Sequence, residues 1–208
     1  MTTPPRGIDV SSWQHPGGAP IDWAKVAAAG YRFALLKATQ GTTYTSPYLR
    51  EDYQGARSAG LIVGAYHYYD LAAPPDFQGE YFCKAIDGMV LDLHAWLDWE
   101  PPYAPGPRAL ARAFLARCAA YGRSGVGVYA DSRWMSLLVG VPGLRWLAAP
   151  SLTQPPSGVM IWQHGTGLVP GITGPVDLDV LLSHRGVDLP APARSATPPP
   201  APTSGAGC

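Results

Sequence analysis

Charge is scarce in this chain, and its two signs cancel. Lys plus Arg number 15 and Asp plus Glu 15 among 208 residues, so only 14% are charged. That balance leaves no electrostatic footprint for nucleic acid or for an anionic membrane surface. Long apolar runs are missing as well. Although 47% of residues are hydrophobic, no stretch approaches the ~20 residues of a membrane span. The opening MTTPPRGIDV has no apolar core, so no secretory leader is expected. Cysteine is limited to Cys83, Cys118 and Cys208, an odd number whose spacing matches no metal motif. Cys83 and Cys118 fall in helix-like stretches and read as buried free thiols, with a bridge between neighbouring helices left open. No HExxH-type spacing and no internal repeat is found. No cofactor or metal is called for, and a monomer is expected.

The chain does hold a regular alternation of strand-like and helix-like runs. RGIDV, YRFALLKA, LIVGAYHYY, HAWLDWE, VGVYA, LRWLAA, GVMIWQH and PVDLDVLL read as eight strands. IDWAKVAAAG, SPYLREDYQGARSAG, 77–86, PRALARAFLARCAAYG and SRWMSLLVG read as helices. PRALARAFLARCAAYG is the clearest, with apolar residues at i, i+3 and i+4, Pro near its start and Gly at its end. Such alternation implies a parallel α/β sheet with right-handed crossovers. Eight strands suit a closed, TIM-like (β/α) barrel. A full barrel usually takes about 250 residues, so helices should be missing in the C-terminal half. The folded domain is read as 1–186. Residues 187–208 are rich in Pro, Ala, Ser and Gly and read as a disordered tail or linker.

One strand carries unusual chemistry. In LDLHAWLDWE (91–100), Leu91, Leu93, Ala95, Leu97 and Trp99 alternate with Asp92, His94, Trp96, Asp98 and Glu100. Pro101 and Pro102 stop the ladder. Asp98 and Glu100 should therefore share one face, roughly 6.5–7 Å apart at Cα, at the C-terminal tip where parallel folds keep their active sites. A solvated edge strand is the plain alternative. If the sheet closes, Asp9 at the end of the first strand and Asp177 at the start of the last converge on the same tip. Tyr66, Tyr68, Tyr129 and Trp162 occupy similar places. Carboxylates ringed by aromatics suit a sugar, whose apolar ring faces pack on aromatic rings. Taken singly, Tyr66, Tyr129 and Trp162 could be core filling.

Seven segments also run in a familiar order. GIDVSSWQ (7–14), FALLKATQGTTY (33–44), GLIVGAYHYY (60–69), LDWE (97–100), VGVYADSRW (126–134), IWQH (161–164) and VDLDVL (176–181) resemble the glycoside hydrolase family 25 lysozymes, the Chalaropsis-type muramidases. The resemblance implies a modified β/α barrel. It also implies cleavage of the bond between N-acetylmuramic acid and N-acetylglucosamine in bacterial peptidoglycan. The family's acidic cluster falls on Asp9, Asp98, Glu100 and Asp177. Glu100, whose longer side chain reaches further from the strand tip, is read as the general acid, with Asp98 expected to stay ionised and assist it; Tyr66, Tyr129 and Trp162, from their places at strand ends, are read as substrate-binding. A role like that of a phage lysin fits, as does a part of a longer exported protein. Two departures stand out: KATQG has Gln40 where the family usually has Glu, and RWLAAP lacks the aromatic that often follows that run. Three rivals are weighed against this reading. They are a non-catalytic wall-binding module, a metal-dependent hydrolase using Asp9, His67, His94, Asp98 and Glu100, and a barrel hydrolase cutting the other glycan bond.

Overall fold

A computed structural model describes residues 3–123 and 125–183; the expected tail at 187–208 lies outside them. The strands are β1 (Arg6–Val10), β2 (Tyr31–Gln40), β3 (Tyr44–Thr45), β4 (Ile62–Tyr68), β5 (Ala95–Asp98), β6 (Gly127–Asp131), β7 (Arg145–Ala148), β8 (Ile161–Leu168) and β9 (Pro175–Leu181). The helices are α1 (Trp23–Ala28), α2 (Leu49–Ser58), α3 (Pro75–Ala85), α4 (Pro107–Ala120) and α5 (Ser132–Leu137). All eight expected strands are present, and β3 adds a short hairpin on β2. The sheet runs β1-β9-β8-β7-β6-β5-β4-β2, and β1 also pairs with β2, which closes a barrel of eight strands. Among the described residues no α-helix follows α5, so β7, β8 and β9 follow one another without intervening helices, in line with the expectation that helices are missing in the C-terminal half. No described helix is long and apolar enough to cross a membrane.

The expectation of a wholly parallel sheet is corrected at one strand. β9 runs antiparallel to both β8 and β1. The reason is the connection: six residues, 169–174, separate β8 from β9, and a parallel crossover needs a dozen or more. A hairpin is the remaining solution. Its consequence is local and large. The N-terminal part of β9, not its C-terminal end, reaches the face where the parallel strands end.

Strand alternation divides the core in two. Phe33, Leu35, Tyr66, Trp96, Tyr129, Trp146, Ile161 and Leu181 fill the barrel interior. Ile8, Val10, Ala34, Leu36, Leu97, Trp99, Val128 and their neighbours pack outward against the helices, where Phe82, Phe114 and Cys118 meet them. Cys83 and Cys118 are both buried and free. The run 91–100 departs from a single long strand. His94 takes φ 66°, and extended pairing begins only at Ala95. Leu93 accordingly joins Trp96 inside the barrel rather than Leu97 and Trp99 outside. The strand also ends at Asp98, two residues before the expected Glu100, although the Trp99 amide still donates to the Tyr129 carbonyl at 2.9 Å.

Close packing inside the barrel depends on small residues under large rings. A Cβ on Gly127 would lie 2.2 Å from the six-membered ring of Trp96. Trp96 cannot retreat, because it is fully buried and its indole donates to the Leu93 carbonyl at 2.6 Å. Gly127→Ala should therefore lower the melting temperature by roughly 3–10 °C through overpacking, measured by circular dichroism. An unchanged melting temperature would show that the Trp96 layer is loosely packed.

Candidate active site

The barrel's C-terminal mouth holds a cleft of about 190 Å³ lined by Asp9, Ser11, Trp13, Lys37, Tyr66, Tyr68, Asp98, Glu100, Tyr129, Trp146, Gln163 and Asp177. A second lobe of about 320 Å³ continues past Asp9, Trp13, Gln14, Thr166, Pro175 and Asp177. The four acids singled out in the sequence thus meet in one place. Each arrives by strand parity. Asp9 sits near the end of β1 opposite Asp177 of β9, and Asp98 ends β5 opposite Tyr68 and Tyr129. Glu100 lies just beyond Asp98 and is exposed at the rim, whereas Asp98 is buried.

Tyr66 and Tyr129 both line the cleft. Tyr66 donates to the Val10 carbonyl at 3.4 Å. Tyr129 donates to Gln163 Oε1 at 3.0 Å and also lies within hydrogen-bonding reach of Glu100. Trp162 does not join them. Its indole donates to the Ala149 carbonyl at 3.0 Å, and its ring packs with Leu147 and Ala149 in a small cluster on the outside of the barrel. The parity of β8 explains the correction, since Ile161 and Gln163 face inward and Trp162 faces out. The residues of the metal-site rival are likewise dispersed. His67 faces the helices between Thr39 Oγ1 (2.8 Å) and Gln78 Oε1 (3.0 Å), and burial pushes it down to about 4, keeping it neutral. His94 lies at the opposite end of β5.

Several cleft residues escaped the sequence reading. Lys37 enters through a bulge. β2 shifts register between Lys37 and Thr39, so Lys37 aligns with Tyr66 and Gln40 with Tyr68. Both then face inward, and Lys37 Nζ donates to Gln40 Oε1 at 2.8 Å while lying 4.5 Å from the Tyr68 ring centroid. Gln40 therefore meets the lysine as a neutral acceptor, where a Glu would pair with it. Trp13 stands 86% exposed at the edge of both lobes. Its short 3-10 helix, Ser12–Gln14, is held by a capping box in which Ser11 accepts from the Trp13 amide and Gln14 accepts from the Ser11 amide. Gln14 also donates to the Pro175 carbonyl at 3.2 Å. Behind it, the buried His15 bonds Asp52 at 2.9 Å and stacks on Tyr48. The Trp13 platform is thus fixed from three sides. Asp179, fully buried beneath the cleft, accepts from the Trp146 indole at 2.8 Å. The signal for it was the second acid of VDLD, two residues after Asp177 and hence on the same face.

The electrostatics follow from crowding. Asp9, Asp98, Glu100, Asp177 and Asp179 share this end of the barrel, and among the described residues lining the cleft Lys37 is the only cation. Burial raises Asp9 to about 7, with Asp177 adding to the rise and hydrogen bonds from Gln163 and Asp179 opposing it. Asp98 is raised well above the carboxylate range by burial and then by Glu100, with Lys37 opposing. Glu100 is raised by loss of water within the cleft, with the neighbouring Tyr129 hydroxyl opposing the rise. Burial in turn lowers Lys37, while Asp98 and Glu100 support its charge. Asp98, expected to stay ionised beside a protonated Glu100, is thus the acid of the two that more strongly resists ionising in the free cleft. Its depth and the neighbouring Glu100 account for the reversal.

The comparisons with known proteins agree with this architecture. Residues 8–172 match the glycosyl hydrolases family 25. Lysozyme M1 of Streptomyces globisporus is 33% identical over 197 residues, covering 83% of this chain and 66% of that protein. The N,O-diacetylmuramidase of Chalaropsis sp is 39% identical over 66 residues, 30% of this chain and 29% of that one. The crystal structure of a bacterial lysozyme from Streptomyces coelicolor superposes with a TM-score of 0.75 at 30% identity, covering 88% of this chain and 94% of that chain. The chain belongs to glycosyl hydrolase family 25 and has that family's modified barrel. It spans about two thirds of the length of the curated relatives that it matches over most of its own length.

Removing the one cation has a defined sign. Lys37→Met withdraws the charge that favours the Asp98 anion, so Asp98 should ionise only at higher pH. The acid limb of kcat/KM for glycan hydrolysis should move to higher pH. An acid limb that stays in place would show that Asp98 and Lys37 are uncoupled.

Proposed function

We propose that this protein is a lysozyme that cleaves the β-1,4 bond between N-acetylmuramic acid and N-acetylglucosamine in bacterial peptidoglycan. The observation that carries the reading is the placement of Glu100 against Asp98. A solvent-facing carboxyl with a raised pKa stands beside a buried one, in a cleft walled by Tyr66, Tyr68, Tyr129 and the exposed Trp13. Glycoside hydrolysis needs a proton donor for the leaving oxygen and a second group to stabilise positive charge at the anomeric carbon.

Glu100 is the general acid. It reaches into the open cleft, and its pKa is raised by loss of water, which favours the protonated form that a general acid needs. Asp98 lies deeper and binds the 2-acetamido group. The N–H of that group donates to the carboxylate, and Lys37 supplies counter-charge, so substrate entry favours the ionisation that the free cleft resists. The acetamido carbonyl then bonds to the anomeric carbon as the bond to the leaving oxygen breaks and Glu100 gives up its proton. Water subsequently opens the cyclic intermediate. In the competing route a carboxylate activates water directly and the product inverts. Asp9 and Asp177 bind sugar hydroxyls and hold the charge state of the pair. Trp13 offers an apolar face to a pyranose ring in the second lobe. The family membership, and the names of the Streptomyces and Chalaropsis relatives, support this substrate.

The wild type and Glu100→Gln should be incubated with defined peptidoglycan and the released fragments identified by mass spectrometry. The wild type should release muropeptides ending in reducing N-acetylmuramic acid. Glu100→Gln should fold normally and lose nearly all turnover. Reducing-end N-acetylglucosamine would reassign the cut to the other bond. Intact glycan with wall binding retained would make the chain a binding module.

A further inference from the structure

Asp179 poses a problem of hydrogen-bond accounting. It is fully buried, at 0% exposure. One carboxyl oxygen accepts from the Trp146 indole at 2.8 Å. The other, Oδ2, receives no N–H or hydroxyl donor. A buried carboxylate ordinarily survives as an anion only with several donors or a cation around it, and Asp179 has one indole. On β9 it lies opposite Gly7 of β1 and opposite Gln163 of β8. Gln163 donates in turn to Asp9 Oδ2 at 2.8 Å and accepts from Tyr129. The titratable groups facing Asp179 are Asp9 on β1, Asp177 on its own strand and, across the barrel, Tyr129 on β6. None of them carries positive charge.

We propose that Asp179 is a positioning residue that keeps a proton in the working protein and donates it in a hydrogen bond to Asp9, holding Asp9 as an anion turned toward the cleft. A single proton resolves both difficulties. It gives the orphaned Oδ2 a partner and supplies Asp9 with a second donor beside Gln163. It also removes a like charge that two adjacent buried carboxylates could not both sustain. The direction agrees with the surroundings, since burial and the neighbouring Asp9 raise Asp179 well above the usual carboxylate range, while the bond from Asp179 lowers Asp9. In this arrangement Trp146, Asp179, Asp9, Gln163 and Tyr129 form one chain of hydrogen bonds from the barrel floor to the cleft wall. Asp179 never touches the sugar and acts through Asp9.

The inference rests on the reading of Asp9 as an anion of the hydrolase site, so its test includes a readout independent of turnover. Difference infrared spectroscopy of the full chain, wild type minus Asp179→Asn, should show a protonated carboxyl band at neutral pH that the variant lacks. Loss of a carboxylate band instead would overturn the proposal, whether or not the protein cuts peptidoglycan. In kinetics, Asp179→Leu removes the donor, so Asp9 should ionise at higher pH. The acid limb of the pH profile should move up, and kcat should fall roughly tenfold or more with KM little changed. Asp179→Asn retains an N–H donor and should rescue turnover and return the acid limb to its wild-type position. Were Asp179 an anion, the Asn variant would relieve repulsion and move that limb to lower pH. That result, or a wild-type profile in Asp179→Leu, would overturn the proposal. If Asp179→Leu fails to fold, the Asn profile and the infrared band decide.

Discussion

Insertion of β9, antiparallel, between β8 and β1 is the constraint on which the site depends. Its backbone hydrogen bonds close the barrel. The same bonds deliver Asp177 and Asp179 against Asp9, on the mouth that Asp98 and Glu100 reach from the parallel side. Closure is favourable because it removes sheet edges and seals an apolar interior. It also gathers like-charged groups into a small, poorly hydrated volume. The electrostatic character of the cleft is therefore a consequence of its topology.

That crowding gives the chemistry its form. With Lys37 as the cation of the cleft, ionising every acid would place unopposed negative charge in low dielectric, so protons stay behind. In the proposed mechanism, depth sorts the roles. Asp179, sealed under Trp146, holds its proton for structural use. Asp98, buried but adjacent to Lys37, can be ionised when a donor arrives. Glu100, at the rim, can exchange its proton with a leaving group. The aromatic rings that exclude water from the acids also offer flat apolar faces to a sugar, so one set of side chains tunes charge and shapes the cleft. Gln40 fits this balance, since a neutral acceptor leaves the charge of Lys37 for the acids.

Much of this was legible in the sequence because both period-two and helical spacing are strong in this chain. The eight strands, the five helices and the meeting of Asp9, Asp98 and Glu100 follow from where the alternating runs end, whereas Asp177, at the start of its strand, reaches them because β9 runs antiparallel. What escaped was decided by single-residue shifts. Trp162 and Gln163 differ by one position, and only the inward partner of Ile161 enters the cleft; an apolar ring in IWQH was the more conspicuous choice. The bulge after Lys37 turns two residues three apart to one side, which a strict alternation forbids. His94 at positive φ breaks a run whose hydrophobic pattern reads straight through it. Asp179 was passed over beside Asp177, and only closure of the barrel shows its face of the strand to be interior. The reversal of β9 was implicit in its short connection but was masked by the parallel pattern before it.

The central claim is that the closed barrel keeps protons on its clustered acids at neutral pH. The most direct test is a carbon-13 NMR titration of the Asp and Glu carboxyl carbons in the wild-type protein. The account predicts that resonances of Asp98 and Asp179 remain protonated at neutral pH, with Asp9 titrating near neutrality. Complete ionisation of all 15 acidic side chains well below neutral pH would contradict it.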